Sequence, residues 1–300
     1  MKVGFIGVGK MGNPFAKHLI EAGNDVNVHD ISEDAAAPLI ESGAAWTGTP
    51  SQTAQGRDVV FTSLPMPKDV EAVCLGPDGI IEGIPKGSIV ADLSTNAPSA
   101  VRELHRIFAE RGIEFMDVAL SGGPRGVASK DLCMMAGGSR EAYDRIKPLL
   151  EQVGDKPVYC GPVGNGAVCK LTHNLFAYML QWSIGEVLTM GVKAGVDLET
   201  LVEAVSKSGM GKRPPFEGWA NGTALMNFDP DPFGFALELA RKDVGLATEM
   251  AREHGVPLEV GSIVEQKLIE AMNRGWGKKK AGVIRLLQEE RSGQELKYKS

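Results

Sequence analysis

The sequence predicts an α/β domain followed by an all-helical one, and three observations predict it. Short β-rich runs alternate with amphipathic segments from residue 2 to about 160, the pattern of βαβ units that build a parallel sheet. From about Gly166 to Gly195, only Gly185 and Gly191 interrupt apolar residues recurring at helical spacing, which predicts one long helix. The last hundred residues hold no convincing strand. The expected division is therefore an N-terminal α/β domain over 1–163, a long interdomain helix over 164–194, and an all-helical C-terminal domain over 195–300.

The clearest strands are KVGFIGV, DVNVHD, DVVFTSL, SIVADLS and IEFMDVAL. After the first, MGNPFAKHLIEAG sets Met11, Phe15 and Leu19 at helical spacing and closes on Gly23, a natural C-terminal cap. Strand, turn and helix thus follow in order. Past the long helix, DLETLVEAVSKS, FALELARKDVGLATEMAREHG and LEVGSIVEQKLIEAMNRG again read as helices. The run GKKKAG at 277–282 reads as a solvated turn.

With 300 residues, 43% apolar content and 6% aromatics, the chain can bury a full core. A formal charge of -6 gives no electrostatic reason to expect nucleic acid or an anionic membrane surface as a partner. No apolar run approaches the roughly 20 residues of a bilayer span, and the chain opens directly on a strand, so a cytoplasmic location is expected. Cys74, Cys133, Cys160 and Cys169 show no CxxC or zinc-type spacing and are expected as small core residues. Five histidines show no paired ligand spacing either, so no metal is expected.

The first strand ends in Gly7-Val8-Gly9-Lys10-Met11-Gly12, a G-x-G-x-x-G placed between strand and helix. The first glycine allows the tight turn, the second lets the backbone approach a pyrophosphate, and the third permits close helix packing. The following helix N-terminus then faces the phosphates. Asp30 ends the second strand 18 residues after Gly12. A carboxylate there accepts from a ribose 2′-hydroxyl and repels a 2′-phosphate, and no arginine follows it in ISEDA, so NAD is expected over NADP. The alternative role for Asp30 is a turn aspartate capping the next helix.

Four stretches together resemble the β-hydroxyacid dehydrogenases, the family of 3-hydroxyisobutyrate dehydrogenase and tartronate semialdehyde reductase. They are GFIGVGKMGNPFAKHLIEAG at 4–23, DVALSGGPRGVASKDLCMMAGG at 117–138, GNGAVCKLTHNLF at 164–176 and ARKDVGLA at 240–247. The resemblance implies a Rossmann-type nucleotide domain whose cofactor contacts include Gly7, Val8, Gly9, Met11, Gly12, Asp30, Leu64, Pro65, Thr95 and Lys242. It places Lys170 on the catalytic-lysine pattern, with Ser121, Gly122, Gly123 and Asn174 binding substrate. Lys170 and Asn174 are four apart, so a helix projects both from one face, where they can meet one substrate oxygen. The expected reaction oxidises a 3-hydroxy carboxylate to its semialdehyde or keto acid, or runs in reverse, with a small anionic hydroxy acid as substrate and a homodimer or homotetramer as the assembly.

His173 is expected as a packing or cap residue, and Asp243 as an orienter of Lys242 or an exposed neighbour without a role. The family's Gly-Thr-Leu run is replaced by Lys130, Asp131 and Leu132, and Arg125, Lys212 and Arg213 add cations that could meet a second acidic group. Three rivals remain on the sequence alone: an imine reductase-like enzyme, which usually has another residue at the lysine position; a 6-phosphogluconate-type enzyme, with a longer helical domain; and a non-catalytic NAD(H)-binding module. Lys170 argues against the first and the last.

Overall fold

The computed structural model describes residues 1–208, 227–230 and 234–296. It divides into two compact units, Met1–Thr172 and His173–Ser300.

The first unit carries eight strands: β1 Lys2–Ile6, β2 Asp25–His29, β3 Ala45–Trp46, β4 Val59–Thr62, β5 Ile89–Asp92, β6 Glu114–Ser121, β7 Cys133–Gly137 and β8 Lys156–Gly161. Its helices are α1 Gly12–Glu21, α2 Glu33–Glu41, α3 Pro50–Ala54, α4 Pro67–Leu75, α5 Ile80–Gly83, α6 Pro98–Ala109, α7 Gly123–Ser129 and α8 Arg140–Val153. The sheet order is β3-β2-β1-β4-β5-β6-β7-β8. The order reverses beside β1, and ligands of open α/β sheets bind at such a switch point, beyond the strands' carboxyl ends.

Central β4 and β5 are buried along their whole length, as expected for strands covered by helices on both faces. On one face Phe5 of β1, Phe15 of α1 and Phe61 of β4 meet with ring centroids 5.4–6.0 Å apart. Phe15, Ala16 and Leu19 are fully buried there, which sets α1, and with it the glycine turn, against the sheet. On the other face Val60, Val70, Cys74, Val101, Phe108 and Phe115 form a second apolar cluster.

The sheet is larger than the five clear strands suggested, and not wholly parallel: β7 pairs antiparallel with β6, and β8 parallel with β7. β3 has two residues, too few for any alternation. β7, CMMAG, lacks the β-branched and aromatic residues by which strands are read. The segment after Ser121 turns at Gly122 and Gly123 (φ 144° and 62°) and continues as α7, with Pro124 in its first turn.

Helix α9, Asn165–Lys193, is a single helix of 29 residues, and the boundary between the two units falls inside it. The second unit continues with α10 Leu198–Lys207, α11 Leu237–Glu253, α12 Glu259–Asn273, a 3-10 turn Ala281–Ile284 and α13 Arg285–Ser292. Ile184 and Leu188 pack with Leu198, Val202 and Leu296. α11 buries Leu237, Ala240, Val244 and Ala247, and α12 buries Val264, Leu268 and Ala271. Lys278 and Lys279 of the basic run pair with Glu238 and Asp229 at 2.7 and 3.5 Å. Among the described residues, no helix is long and apolar enough to cross a membrane.

Candidate active site

In the first unit each glycine of the first turn has its own reason. Gly7 has φ 88°, and a Cβ on it would stand 2.4 Å from the Ser63 carbonyl oxygen. A Cβ on Gly12 would stand 1.9 Å from the Gly7 carbonyl oxygen, so only glycine lets α1 start this close to the turn. Gly9 is exposed, with open space where its Cβ would be. That is the position where a diphosphate needs to approach backbone, and the residues fit a dinucleotide. Val8 is buried, and Met11 is half-buried at the start of α1.

Asp30 does more than wait for a ribose. Its Oδ2 accepts from the Val8 N–H at 2.8 Å and its Oδ1 from the Ser32 N–H at 3.1 Å. The first bond ties the end of β2 to the glycine turn; the second is a local turn bond to Ser32, which is itself the N-cap residue of α2, so it does not make Asp30 the cap of that helix. A carboxylate has about four lone-pair sites, so acceptor capacity remains.

The turns after β4 and β5 sit beside the glycine turn. The Leu64 N–H donates to Ser94 Oγ at 2.9 Å, and the Leu64 side chain comes within 2.9 Å of where a Gly7 Cβ would be. Pro65 is exposed and Thr95 half-buried. Beneath them lies a carboxyl that sequence reasoning missed. Asp92 is fully buried and accepts from Thr62 Oγ1 at 2.8 Å and from the Ser94 N–H at 3.0 Å. Burial pushes its carboxyl up, against the pull of hydrogen bonds from Ser94, Thr62 and Asn96.

A second missed acid is Asp117, the register partner of Asp92 on β6. Its Oδ1 accepts from the Gly164 N–H at 2.7 Å and its Oδ2 from the Ala167 N–H at 2.6 Å. Burial pushes its carboxyl up to about 6 against those two N–H donors. For both acids the available signal was an aspartate inside an otherwise apolar strand run, at the end of IVAD and in the middle of FMDVAL.

Further along β6, Ser121 is half-buried and pairs in register with Cys133 of β7, while Gly122 and Gly123 are exposed. Burial pushes the Cys133 thiol up, and the cations of Lys156 and Lys170 pull it the other way. Lys170 of α9 is half-buried, and its charge acts on Cys133, the register partner of Ser121. The cysteines are not uniformly core residues: Cys74 is buried, Cys133 and Cys160 are half-buried, and Cys169 is exposed. Among the described residues no His, Cys, Asp and Glu group has the arrangement of a metal site.

In the second unit, Asn174 is buried and its amide is held on both sides. Its Nδ2 donates to Asp243 Oδ2 at 2.5 Å, and its Oδ1 lies 2.9 Å from His173 Nδ1. Asp243 is 1% exposed and lies 3.0 Å from Lys242 Nζ. It is therefore not an exposed neighbour without a role, because it links Asn174 to Lys242. His173 is exposed rather than packed. Tyr178, one turn beyond Asn174, has its phenol pushed up by burial and by the Asp243 charge. Arg125 is exposed on α7, and Lys212 and Arg213 lie outside the described residues.

Two family models cover nearly the whole chain: the NAD binding domain of 6-phosphogluconate dehydrogenase matches residues 2–161, and the NAD-binding domain of NADP-dependent 3-hydroxyisobutyrate dehydrogenase matches residues 164–287. The chain belongs to the β-hydroxyacid dehydrogenase family. Among its family relatives, the 2-(hydroxymethyl)glutarate dehydrogenase of Eubacterium barkeri is 32% identical over 98% of this chain and 96% of its own. The NAD-dependent L-serine dehydrogenase of Pseudomonas aeruginosa is 32% identical over 98% and 99%. A structure of Mycobacterium tuberculosis 3-hydroxyisobutyrate dehydrogenase with L-serine matches with TM-score 0.84 at 24% identity, covering 96% of this chain and 98% of that one, a likeness of fold. As a member of this family the chain is a NAD-dependent oxidoreductase acting on CH-OH groups.

Proposed function

We propose that this dehydrogenase interconverts a small 3-hydroxy carboxylate and its semialdehyde or keto acid, with Lys170 as the general acid/base. The observation that supports the reading is that the charge of Lys170 acts on Cys133, the register partner of Ser121. Oxidation of a hydroxyl requires a proton to leave oxygen as two electrons leave carbon, so a group must hold that oxygen and take its proton. When bound, NAD supplies the acceptor for the hydride.

Lys170 hydrogen-bonds the substrate hydroxyl and takes its proton. Asn174, one turn along α9, has its amide fixed by Asp243 and His173 and presents its remaining hydrogen-bonding capacity to the same oxygen. The Ser121 hydroxyl and the backbone N–H groups of the Gly122-Gly123 turn take the substrate carboxylate. Gly7, Val8, Gly9, Met11 and Gly12 take the diphosphate, Asp30 the ribose hydroxyls, Leu64, Pro65 and Thr95 the nicotinamide side, and Lys242 reaches back to the cofactor. The substrates named for the relatives, 2-(hydroxymethyl)glutarate and L-serine, both present a hydroxyl on the carbon next but one to a carboxyl, which supports the substrate class.

The assembly proposed is a homodimer or homotetramer. Val260 and Ile263, three apart on α12, and Phe176 on α9 leave large apolar side chains 46–63% exposed in the second unit, and such surface favours a partner. A cytoplasmic location accords with the acidic, unbridged-cysteine chain.

The test is NADH formation over a panel of 3-hydroxy acids carrying one or two carboxyl groups, with 2-hydroxy acids as the contrast. Turnover confined to the 3-hydroxy acids is expected. Equal turnover of 2-hydroxy acids, or turnover of imines alone, would overturn the substrate assignment.

A further inference from the structure

Helix α9 begins without a cap of its own. The residue before it is Gly164, φ 90°, and its first turn contains no acidic side chain. An uncapped start leaves backbone N–H groups unsatisfied, usually answered by a local Ser, Thr or Asp. Here the answer comes from 47 residues away in sequence, where Asp117 accepts from both Gly164 and Ala167. One carboxylate does what both halves of a capping box do, and sets a negative charge at the positive end of a 29-residue helix.

The surroundings are shaped to hold this carboxylate. A Cβ on Gly137 would come within 2.5 Å of Asp117 Oδ1, and one on Gly166 within 2.8 Å of Oδ2, so β7 and α9 both press bare backbone against it. Asp117 and Ser121 are four apart on β6 and share one face of the sheet. Lys170 lies three residues beyond Ala167 on α9. The capped helix start thus lies on the short stretch of chain that leads from the end of β8, Gly161, to Lys170.

We propose that Asp117 is a positioning residue for the reaction at Lys170, fixing the first turn of α9 so that Lys170 meets a substrate held at Ser121. The inference rests on the assignment of Lys170 as acid/base. A carboxylate, unlike an amide, offers an acceptor to each of the two N–H groups, so Asn in its place satisfies only one and turns an N–H donor toward the other.

The experiment compares wild type, Asp117→Asn, Gly137→Ala and Lys170→Ala for NADH binding, kcat, KM and backbone amide exchange. In Asp117→Asn the Gly164 and Ala167 amides should exchange faster. kcat should fall about 10- to 100-fold, the scale of a misplaced catalytic group, while KM and NADH affinity stay within about twofold. Gly137→Ala, whose methyl would meet Asp117 Oδ1 at 2.5 Å and the Gly166 and Asn165 backbone nitrogens at 2.8 and 3.0 Å, displaces the carboxylate and the helix start it holds together, so it should reproduce the kcat loss and carries the test if Asp117→Asn does not fold. Wild-type kcat in the folded variants, with turnover lost in Lys170→Ala, overturns the proposal alone. Turnover that survives in Lys170→Ala overturns the acid/base assignment and the proposal with it.

Discussion

At the scale of single residues, the three glycines of the first turn separate two demands that one motif combines. Gly12→Ala puts a methyl against the Gly7 carbonyl and should destabilise the protein by about 1–3 kcal/mol as an overpacked site. Gly9→Ala meets open space, so its melting temperature should match wild type while NADH affinity falls. Thermal melts and NADH fluorescence titrations on the two variants distinguish these outcomes, and a Gly9→Ala protein binding NADH normally would remove the diphosphate from this turn. Asp30 carries a similar double load. In Asp30→Ser combined with Ile31→Arg, the new arginine stands on a fully exposed position, and preference should swing toward NADP. Stability should drop by about 1 kcal/mol or more, as the Val8 and Ser32 N–H groups lose their acceptor. An unchanged ratio of NADP to NAD turnover would show that Asp30 does not read the ribose.

At the scale of elements, the parts written locally were legible and the parts completed from elsewhere were not. Strand β1, the glycine turn and α1 could be read because an apolar run, the motif and the 3.6-residue period all lie within one short stretch. β7 could not, because Met, Ala and Gly become a strand only through their neighbours β6 and β8. The same holds in the site: Lys170, Ser121 and Asn174 fall on recognisable patterns. The links Asp117 to α9 and Asp243 to Asn174 span 47 and 69 residues, and no local pattern announces them. The first of these links has a pH signature. Burial raises the Asp117 carboxyl from its usual 3.8 to about 6, so the folded state binds this proton more tightly than the unfolded state does. The stability it contributes is complete below about pH 4 and is lost as pH rises through about 6, a change of about 3 kcal/mol at most. The titratable groups that face it are Asp92 on β5, the Cys160 thiol on β8, which burial pushes up to about 12 and so keeps neutral here, and, beside Gly164, Arg102 on α6. Urea melts near pH 4 and pH 7.5 should show Asp117→Asn gaining on wild type as pH rises; a constant difference would mean Asp117 keeps its ordinary affinity for protons.

For the whole molecule, the first unit holds the glycine turn, Asp30, Ser121 and Lys170, and the second holds Asn174, Asp243 and Lys242. The apolar side chains left outside by α9 and α12 belong to the second unit. Sedimentation at micromolar concentration should give two or four times the 32.0 kDa chain mass, and Ile263→Glu should shift the distribution toward the single chain. A wild-type protein that sediments as one chain would contradict the assembly. The central claim, a hydroxyacid dehydrogenase working through Lys170, is tested most directly by single-turnover NADH formation on a substrate of the 3-hydroxy acid panel, comparing wild type with Lys170→Ala. Loss of about 10²-fold or more in the variant, with NADH bound as tightly as in wild type, is the predicted result; a variant that turns over at the wild-type rate would contradict it.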